Sequence, residues 1–267
     1  MDLNVNGHHT VAATGTLPFD AGKPTLVFIH GAGMDRTVWA LQSRHPAFSA
    51  WNVLAIDLPG HGLSHGAAKS DIEALADWLL LFLDKAGIEK AVAIGHSMGA
   101  LVALEAASRA PERITGLVLL GVTHPMPVAP SLLEVAKAND IAAVRMIIGW
   151  AFTSGSDLKG GPAPGLRMTG ASSTLLANAG PGVLYADLKA CNAYTAGLER
   201  AKALRCPVLY VVGGQDRMAR PKGAMALADV TPDATIVTIA QAGHMMMSET
   251  SAEVIAALKS FLVELDF

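Results

Sequence analysis

Cysteine is scarce in this sequence, with only Cys191 and Cys206 among 267 residues. They form no CxxC motif, and no histidine stands beside them at the spacing of a zinc ligand. This pattern favours neither a disulfide framework nor a zinc site. We interpret both residues as buried thiols and expect no metal centre.

Clustered positive charge is also lacking. The chain has 20 Lys and Arg against 23 Asp and Glu, which gives a formal net charge of −3. No basic cluster marks a surface for a phosphate backbone or an anionic lipid. We therefore expect neither a nucleic acid nor a membrane among the partners.

No apolar run approaches the length of about 20 residues that a membrane span requires. The most apolar helical stretch, residues 78–83, lies between Asp77 and Asp84. Residues 1–9 have neither the basic start nor the apolar core of a signal peptide. These absences predict a soluble, cytoplasmic protein.

Apolar residues are abundant at 51%, enough for the core of one large domain or of a domain with an insertion. From residue 25 onward, short apolar runs alternate with longer segments of helical period, which predicts an α/β fold with a mostly parallel sheet. The clearest predicted strands are 26–30, 53–57, 91–95, 116–121, 208–213 and 235–240, with weaker candidates at 3–5 and 11–14. Helices are predicted at about 36–46, 71–86, 97–109, 220–229 and 250–265.

The alternation stops between residues 123 and 205. Helical runs near 131–150 and 183–200 are separated there by the Gly/Pro-rich segments 155–170 and 180–182. Because this stretch lies between two predicted strands, we interpret 123–205 as a helical cap on a core formed by 1–122 and 206–267. The alternative of a disordered linker is disfavoured by apolar residues such as Ile147 and Trp150.

The strongest local motif is GHSMG at 95–99, which follows a predicted strand and opens a predicted helix. A G-x-S-x-G sequence in this context is typical of a sharp turn that exposes a nucleophilic serine. The motif predicts Ser97 as the nucleophile. It also places the amide of Met98 at a helix N-terminus, where an unpaired N–H can face developing negative charge.

A serine hydroxyl needs an adjacent base, and two suitable residues follow later strands. Asp216 comes just after strand 208–213, and His244 just after strand 235–240. Loops at the carboxyl ends of parallel strands converge on one edge of the sheet. The order Ser, acid, His therefore predicts a triad of Ser97, Asp216 and His244.

A second amide for an oxyanion hole is expected in the loop after the first parallel strand. That loop reads HGAGMD at 30–35, and its glycines allow backbone amides to point inward. We predict Ala32 as the donor, with Gly33 as the alternative.

Taken together, these segments resemble the α/β-hydrolase superfamily over nearly the whole chain. The matching pieces are HGAGMDRTVW at 30–39, DLPGHGLS at 57–64, GHSMG at 95–99, GGQD at 213–216 and GH at 243–244. The resemblance implies an eight-stranded, mostly parallel sheet, a helical cap after the sixth strand, and no cofactor. It also implies that Ser97, Asp216 and His244 form the triad and that the amides of Ala32 and Met98 form the oxyanion hole.

We further select candidate contacts for a small substrate under the cap. Met adapts to irregular ligands, although Met residues on a helix are more often simple core. The candidates are Trp39, His124, Met126, Met146, Trp150, Met168 and Met245.

The resulting prediction is a carboxylic ester hydrolase that acts on a small, largely apolar ester or acyl substrate. A serine at position 97 disfavours haloalkane dehalogenases and epoxide hydrolases, whose family members have an aspartate there. The alternatives are a C–C bond hydrolase, an enol-lactonase, a cofactor-free perhydrolase, or a hydrolase-derived small-molecule receptor. Ala32 replaces the aromatic residue usual in such receptors. The sequence leaves the oligomeric state open, a homo-oligomer included.

Overall fold

The fold is built on one eight-stranded sheet. The computed structural model describes residues 1–156 and 167–265. The strands, β1 to β8, are Asp2–Val5, His8–Ala13, Thr25–Ile29, Asn52–Ile56, Ala91–His96, Ile114–Leu120, Val208–Gly213 and Ala234–Ile239. They lie in the order β1-β2-β4-β3-β5-β6-β7-β8, antiparallel for the first two pairs and parallel for the rest. The predicted eight-stranded, mostly parallel sheet is thus confirmed.

Helices cover both faces of this sheet. Within the described residues the α-helices, α1 to α11, are Ala40–Ser43, Ile72–Lys85, Met98–Arg109, Pro130–Lys137, Ala142–Ala151, Met168–Ala177, Val183–Ala193, Gly197–Lys202, Pro221–Ala228, Met246–Glu249 and Ser251–Val263. Helix α2 illustrates the local cause: Asp71 caps its start by accepting the amide of Ala74 at 2.7 Å. Its residues Leu75, Leu79 and Phe82 then recur at helical spacing and are buried.

Two apolar layers sandwich the sheet because successive strand residues point to opposite faces. In β3, Val27 and Ile29 pack with α2 and α3. Leu26 and Phe28 pack on the other face with α11. All five residues of β3 are buried, as expected for a parallel strand covered by helices on both sides.

The six clearest predicted strands all form, with ends within two residues of the prediction. The predicted helix at 36–46 is wrong in form: a short 3-10 turn, Arg36–Trp39, leads into the single turn of α1. Pro46 disfavours helical backbone at the residue before it, and His45 is extended there.

Helices α4 to α8 lie between β6 and β7, after the sixth strand as predicted. The run predicted at 131–150 is divided into α4 and α5 by Asn139, whose φ is 53°. The run at 183–200 is divided into α7 and α8 at Tyr194, which is extended. Helix α6 was not predicted, and residues 157–166 of the Gly/Pro-rich segment lie outside the described residues. The division into a core and a cap at 123–205 stays a prediction.

No helix within residues 1–156 and 167–265 combines the length and hydropathy needed to cross a bilayer.

Candidate active site

Ser97 lies in the sharp turn between β5 and α3. Its backbone has φ 54° and ψ −116°, a conformation that non-glycine residues rarely adopt. A Cβ at Gly95 would lie 2.2 Å from the carbonyl oxygen of Gly99, and a Cβ at Gly99 would lie 2.4 Å from that of Ile29. Only glycine fits at these two positions, so the local sequence permits the turn that holds Ser97 beyond the end of β5.

His244 and Asp216 form a buried hydrogen-bonded pair. Asp216 follows β7 and His244 follows β8, the neighbouring strand. Nδ1 of His244 lies 2.8 Å from Oδ2 of Asp216. Oδ1 of Asp216 accepts hydrogen bonds from the amides of Met218 and Ala219, each at 2.8 Å. A carboxylate only accepts hydrogen bonds, so Nδ1 carries a proton and Nε2 is left to act as a base.

The backbone of His244 is held by residues from two other segments. The carbonyl of Ala151, at the end of α5, accepts hydrogen bonds from the amides of His244 at 2.8 Å and Met245 at 3.2 Å. Nε2 of His96 donates to the carbonyl oxygen of His244 at 3.0 Å. Burial and the neighbouring His244 lower the pKa of His96 well below its ordinary value, so His96 is a neutral donor. His96 therefore has a structural role, which its place inside the GHSMG turn also favours.

The loop after β3 brings Ala32 to the same region. Ala32 lines the cavity that contains Ser97. The amide of Gly33 donates to Oδ2 of Asp187 on α7 at 2.7 Å, so this amide is already paired. Met98 is the first residue of α3, where amides have no carbonyl partner within the helix.

Ser97 and His244 line one cavity of about 520 Å³. This volume falls in the range of small-molecule sites, about 300–1,000 Å³. Helices α4, α5 and α7 form part of its wall, so the segment between β6 and β7 shapes the site. Its apolar lining includes Met34, Met126, Leu132, Ile147, Trp150 and Leu188.

Charge in the cavity lining is of one sign. Among the described residues that line it, the charged side chains are Arg217 and Arg220. Arg217 donates to the carbonyl oxygens of Gly149 and Phe152, the latter at 2.9 Å. Arg220 is exposed. The cavity therefore has a positive rim although the chain as a whole is negative.

Two of the seven predicted substrate contacts, Met126 and Trp150, line the cavity. Trp39 does not: it is fully buried beside β3, with its ring 5.2 Å from that of Phe28. His124 is also a correction, because its ring packs 5.9 Å from that of Tyr194. Burial there lowers the pKa of His124. Both side chains fill space within the fold instead of facing the cavity.

The remaining three predicted contacts are corrected in the same way. Met168 and Met245 are buried in the apolar layer on one face of the sheet. Met146 packs against that layer, while the next residue of α5, Ile147, lines the cavity. One residue along a helix turns the side chain by about 100°, so Met146 points away from the cavity, whereas Ile147 and Trp150, three residues apart on α5, both line it.

Leu188, Cys191 and Leu132 line the cavity and were missed by the sequence analysis. Leu188 and Cys191 are three residues apart on α7 and so share one helix face. That spacing was the available signal, but nothing in it indicates which face of α7 meets the site.

Cys191 is the one cysteine in the described cavity lining, and both cysteines are buried and free, as interpreted from the sequence. Burial raises the pKa of the Cys191 thiol, so it is protonated near neutral pH and is a poor nucleophile. In the part of the chain that the structure describes, no group of three or more His, Cys, Asp or Glu residues is arranged to hold a metal ion. The described lining also contains the hydroxyl of Ser97, the nucleophile predicted from the sequence.

The chain is similar to curated relatives of several kinds, among them an acetyltransferase component and an esterase. The dihydrolipoyllysine-residue acetyltransferase component of the acetoin cleaving system of Cupriavidus necator is 31% identical over 253 residues, 90% of this chain. The match covers 64% of that protein, so the chain spans less than two thirds of this relative's length. A pimeloyl-(acyl-carrier protein) methyl ester esterase of Chromobacterium violaceum is 27% identical over 247 residues, 90% of this chain and 94% of the relative.

Solved structures and a family model agree on the fold. The enol-lactonase from Burkholderia xenovorans superposes with a TM-score of 0.88 at 22% identity, covering 99% of this chain and 100% of that one. The model of the alpha/beta hydrolase family matches residues 26–258. With this match and the sheet order described above, the chain belongs to the alpha/beta hydrolase family.

Proposed function

We propose that this protein is a serine hydrolase that cleaves a carboxylic ester, or a related acyl bond, of a small and largely apolar substrate. One observation carries the proposal: Ser97 and His244 line the same cavity, and His244 is hydrogen-bonded to the buried Asp216. A serine hydroxyl becomes an effective nucleophile beside such a base.

In the proposed reaction, Nε2 of His244 takes the proton of the Ser97 hydroxyl as Oγ attacks the substrate carbonyl carbon. The tetrahedral intermediate collapses, the ester C–O bond breaks, and the alcohol leaves with the proton from Nε2. Water then attacks the acyl-enzyme with His244 again as base, which releases the acid and restores Ser97. Asp216 holds the imidazole in the required tautomer and stabilises the imidazolium.

The oxyanion would be held by the amides of Ala32 and Met98. The hydrogen bond from the Gly33 amide to Asp187 supports Ala32 over Gly33, because a paired amide is not free to face the substrate. The position of Met98 at the start of α3 supports it as the second donor. In other enzymes, removing one such donor costs about 100- to 1,000-fold in kcat.

The apolar wall formed by residues such as Ile147, Trp150 and Leu188 supports a substrate with an apolar body. The relatives support an ester as the reacting bond, since one is a methyl ester esterase and one structural neighbour is an enol-lactonase. C–C bond hydrolysis and perhydrolysis would use the same three residues. Perhydrolysis would also need a peroxide in place of water, and these two relatives favour an ester over a carbon–carbon bond.

The test is turnover of p-nitrophenyl acetate by wild type and by Ser97→Ala. Wild type should cycle many times, whereas a small-molecule receptor would stop near one equivalent. Ser97→Ala should keep the circular-dichroism spectrum and melting temperature of wild type and lose at least about 1,000-fold in kcat. A serine-directed phosphonate should attach one phosphonyl group per chain to wild type, on Ser97, and none to the variant.

The matched control is Ser108→Ala, which removes a hydroxyl from α3, the helix that follows Ser97, at a position outside the cavity lining. It should keep the wild-type kcat. If Ser97→Ala retained more than about a tenth of wild-type kcat, covalent catalysis by Ser97 would be ruled out.

A further inference from the structure

Asp187 is a fully buried carboxylate that the proposed reaction does not use. It lies on α7, and its neighbour Leu188 lines the cavity that contains Ser97. Burying a carboxylate is unfavourable unless its oxygens accept hydrogen bonds or face a cation. The partners of Asp187 therefore indicate what the residue stabilises.

One oxygen of Asp187 joins two loops of the sheet edge. Its Oδ2 accepts the amide of Gly33 at 2.7 Å and lies 2.8 Å from Nε2 of His61. Gly33 has φ 66°, and a Cβ there would lie 2.8 Å from Cδ1 of Leu184, so the loop is packed directly against α7. The hydrogen bond to Gly33 fixes the plane of the peptide that joins Ala32 to Gly33.

His61 supplies the compensating positive charge. Its Nδ1 lies 3.0 Å from the carbonyl oxygen of Pro59, and its Nε2 faces Asp187. Both partners accept hydrogen bonds, so both ring nitrogens donate and the ring is an imidazolium. Burial is the largest single influence and opposes this charge, but Asp187, the Pro59 carbonyl and Asp57 together outweigh it and raise the pKa of His61. The adjacent His30 ring, 4.8 Å away, has a pKa well below its ordinary value because it is buried, and is neutral.

From this geometry we infer that Asp187 is a positioning residue: it holds the Ala32–Gly33 peptide. It thereby couples α7 to the loop at residues 30–35, called the oxyanion loop below. The inference rests on the proposed function. Helix α7 also forms part of the cavity wall. Asp187 therefore links this wall, which would contact the substrate, to the loop whose Ala32 amide would face the oxyanion. Asp187 itself does not contact the reacting atoms.

Loss of this carboxylate has a direct structural consequence. The buried Gly33 amide would have no acceptor, and a glycine adopts many backbone conformations, so the peptide would rotate to find one. The Ala32 N–H belongs to the preceding peptide, between Gly31 and Ala32, and it would be displaced because the two peptides share the α-carbon of Ala32. A displacement of about 1 Å in a catalytic group can cost about 100-fold in rate.

The experiment compares Asp187→Ala and Asp187→Asn in steady-state hydrolysis of p-nitrophenyl acetate. Asp187→Ala should lower kcat by about 10- to 100-fold with a much smaller change in KM, because the displaced amide stabilises the transition state more than the bound substrate. Asp187→Asn retains a carbonyl oxygen for the Gly33 amide and should recover most of the lost kcat. Asp187→Leu, which fills the site without an acceptor, replaces the alanine variant if that variant does not fold.

Glu105→Gln is the matched control. Glu105 is also a buried carboxylate, and it joins α3 to the segment after α7 by accepting from the Tyr194 hydroxyl at 2.7 Å and from Nε of Arg200 at 3.0 Å. Glu105→Gln should lower the melting temperature but leave kcat within about twofold, since it has no bond to the oxyanion loop.

A folded Asp187→Ala or Asp187→Leu variant with wild-type kcat would overturn the inference. Hydrogen exchange of the peptide that spans residues 31–34, followed by mass spectrometry, gives a readout independent of activity. Exchange should be faster in Asp187→Ala than in wild type and unchanged in Glu105→Gln. If wild type hydrolysed no ester, the proposed function would fail, and unchanged exchange in Asp187→Ala would then separately overturn the positioning role.

Discussion

The two carboxylate oxygens of Asp216 have different hydrogen-bond partners. Oδ1 accepts the amides of Met218 and Ala219, and Oδ2 faces Nδ1 of His244. Because both amides are donors, the oxygen that faces them cannot be exchanged for an NH₂ group without losing two hydrogen bonds. At the scale of single residues, the direction of hydrogen bonds therefore fixes the tautomer of His244.

We predict that Asp216→Asn keeps the fold and lowers kcat by about 10,000-fold, as in other triads. The two amides hold the asparagine oxygen in the place of Oδ1, which turns the NH₂ group toward Nδ1 of His244. The histidine must then carry its proton on Nε2, the nitrogen that should accept from Ser97. Steady-state ester hydrolysis measures the effect, and Asp233→Asn, an exposed aspartate before β8, is the control. A loss under about tenfold would indicate that another acid orients His244.

A second prediction at this scale concerns His61, whose pKa is raised by Asp187 and, less strongly, by Asp57. A proton is bound more tightly in the folded state, so the stabilisation is complete below the ordinary pKa of 6.5 and is lost as pH rises through the raised value. The free energy of unfolding should be higher for wild type than for His61→Gln. This difference should be larger at pH 6 than at about pH 9.

Urea unfolding across that pH range gives the measurement. His65→Gln, at an exposed histidine, serves as the control and should show no such trend. A difference between wild type and His61→Gln that did not change with pH would contradict the ion pair.

At the scale of elements, the loop between β8 and α11 depends on Glu249. Its Oε1 accepts the amide of Thr153 at 2.8 Å, and the Ser156 hydroxyl lies 2.7 Å from it. Its Oε2 accepts the amide of Gly243, the residue before His244, at 2.8 Å. One side chain thus joins the segment after α5 to the turn that contains His244.

We predict that Glu249→Gln destabilises the protein by about 1–3 kcal/mol, because the NH₂ group must face one of two backbone donors. For a chain of this size, that corresponds to a fall of several degrees in melting temperature, at about 2–4 °C per kcal/mol. Calorimetry measures the shift. Glu253→Gln is one turn later, and its carboxylate has the exposed Gln241 side chain as its one hydrogen-bond partner among the described residues, so this variant should melt within a degree or so of wild type. Equal melting temperatures for both variants would refute the role of Glu249.

At the scale of the whole molecule, the charge of the cavity opposes that of the chain. The net charge is −3, yet Arg217 and Arg220 are the charged side chains in the described cavity lining. Arg217 is held by backbone carbonyls, whereas Arg220 has no carboxylate partner within residues 1–156 and 167–265. A substrate with an acidic group would therefore be attracted to this rim.

We predict that an alkyl ester with a terminal carboxylate has a higher kcat/KM than the neutral ester of equal length. Arg220→Gln should lower that preference by about two- to fivefold, the size expected for an exposed ion pair, and 0.5 M salt should have a similar effect. Lys222→Gln, at an exposed lysine outside the cavity lining, is the control. If Arg220→Gln left the ratio of the two kcat/KM values unchanged, Arg220 would have no part in substrate selection.

The sequence by itself determined the features that depend on neighbouring residues. Apolar runs of five to seven residues specify the buried strands β3 to β7. The glycines of GHSMG specify the turn at Ser97, because any Cβ at Gly95 or Gly99 would meet backbone atoms. The positions of Asp216 and His244 just after consecutive strands then predict that they lie on one edge of the sheet, and they form a hydrogen-bonded pair there.

Tertiary structure alone decided which side chains surround Ser97 and which amides are free. Trp39 lies in the core while Ile147, not Met146, faces the cavity, because the rotation of each helix depends on what it packs against. The Gly33 amide is paired with Asp187, 154 residues away along the chain, and no local pattern indicates such a partner. Local sequence fixes backbone conformation through sterics and periodicity, whereas the lining of a cavity follows from the packing of segments that are distant in sequence.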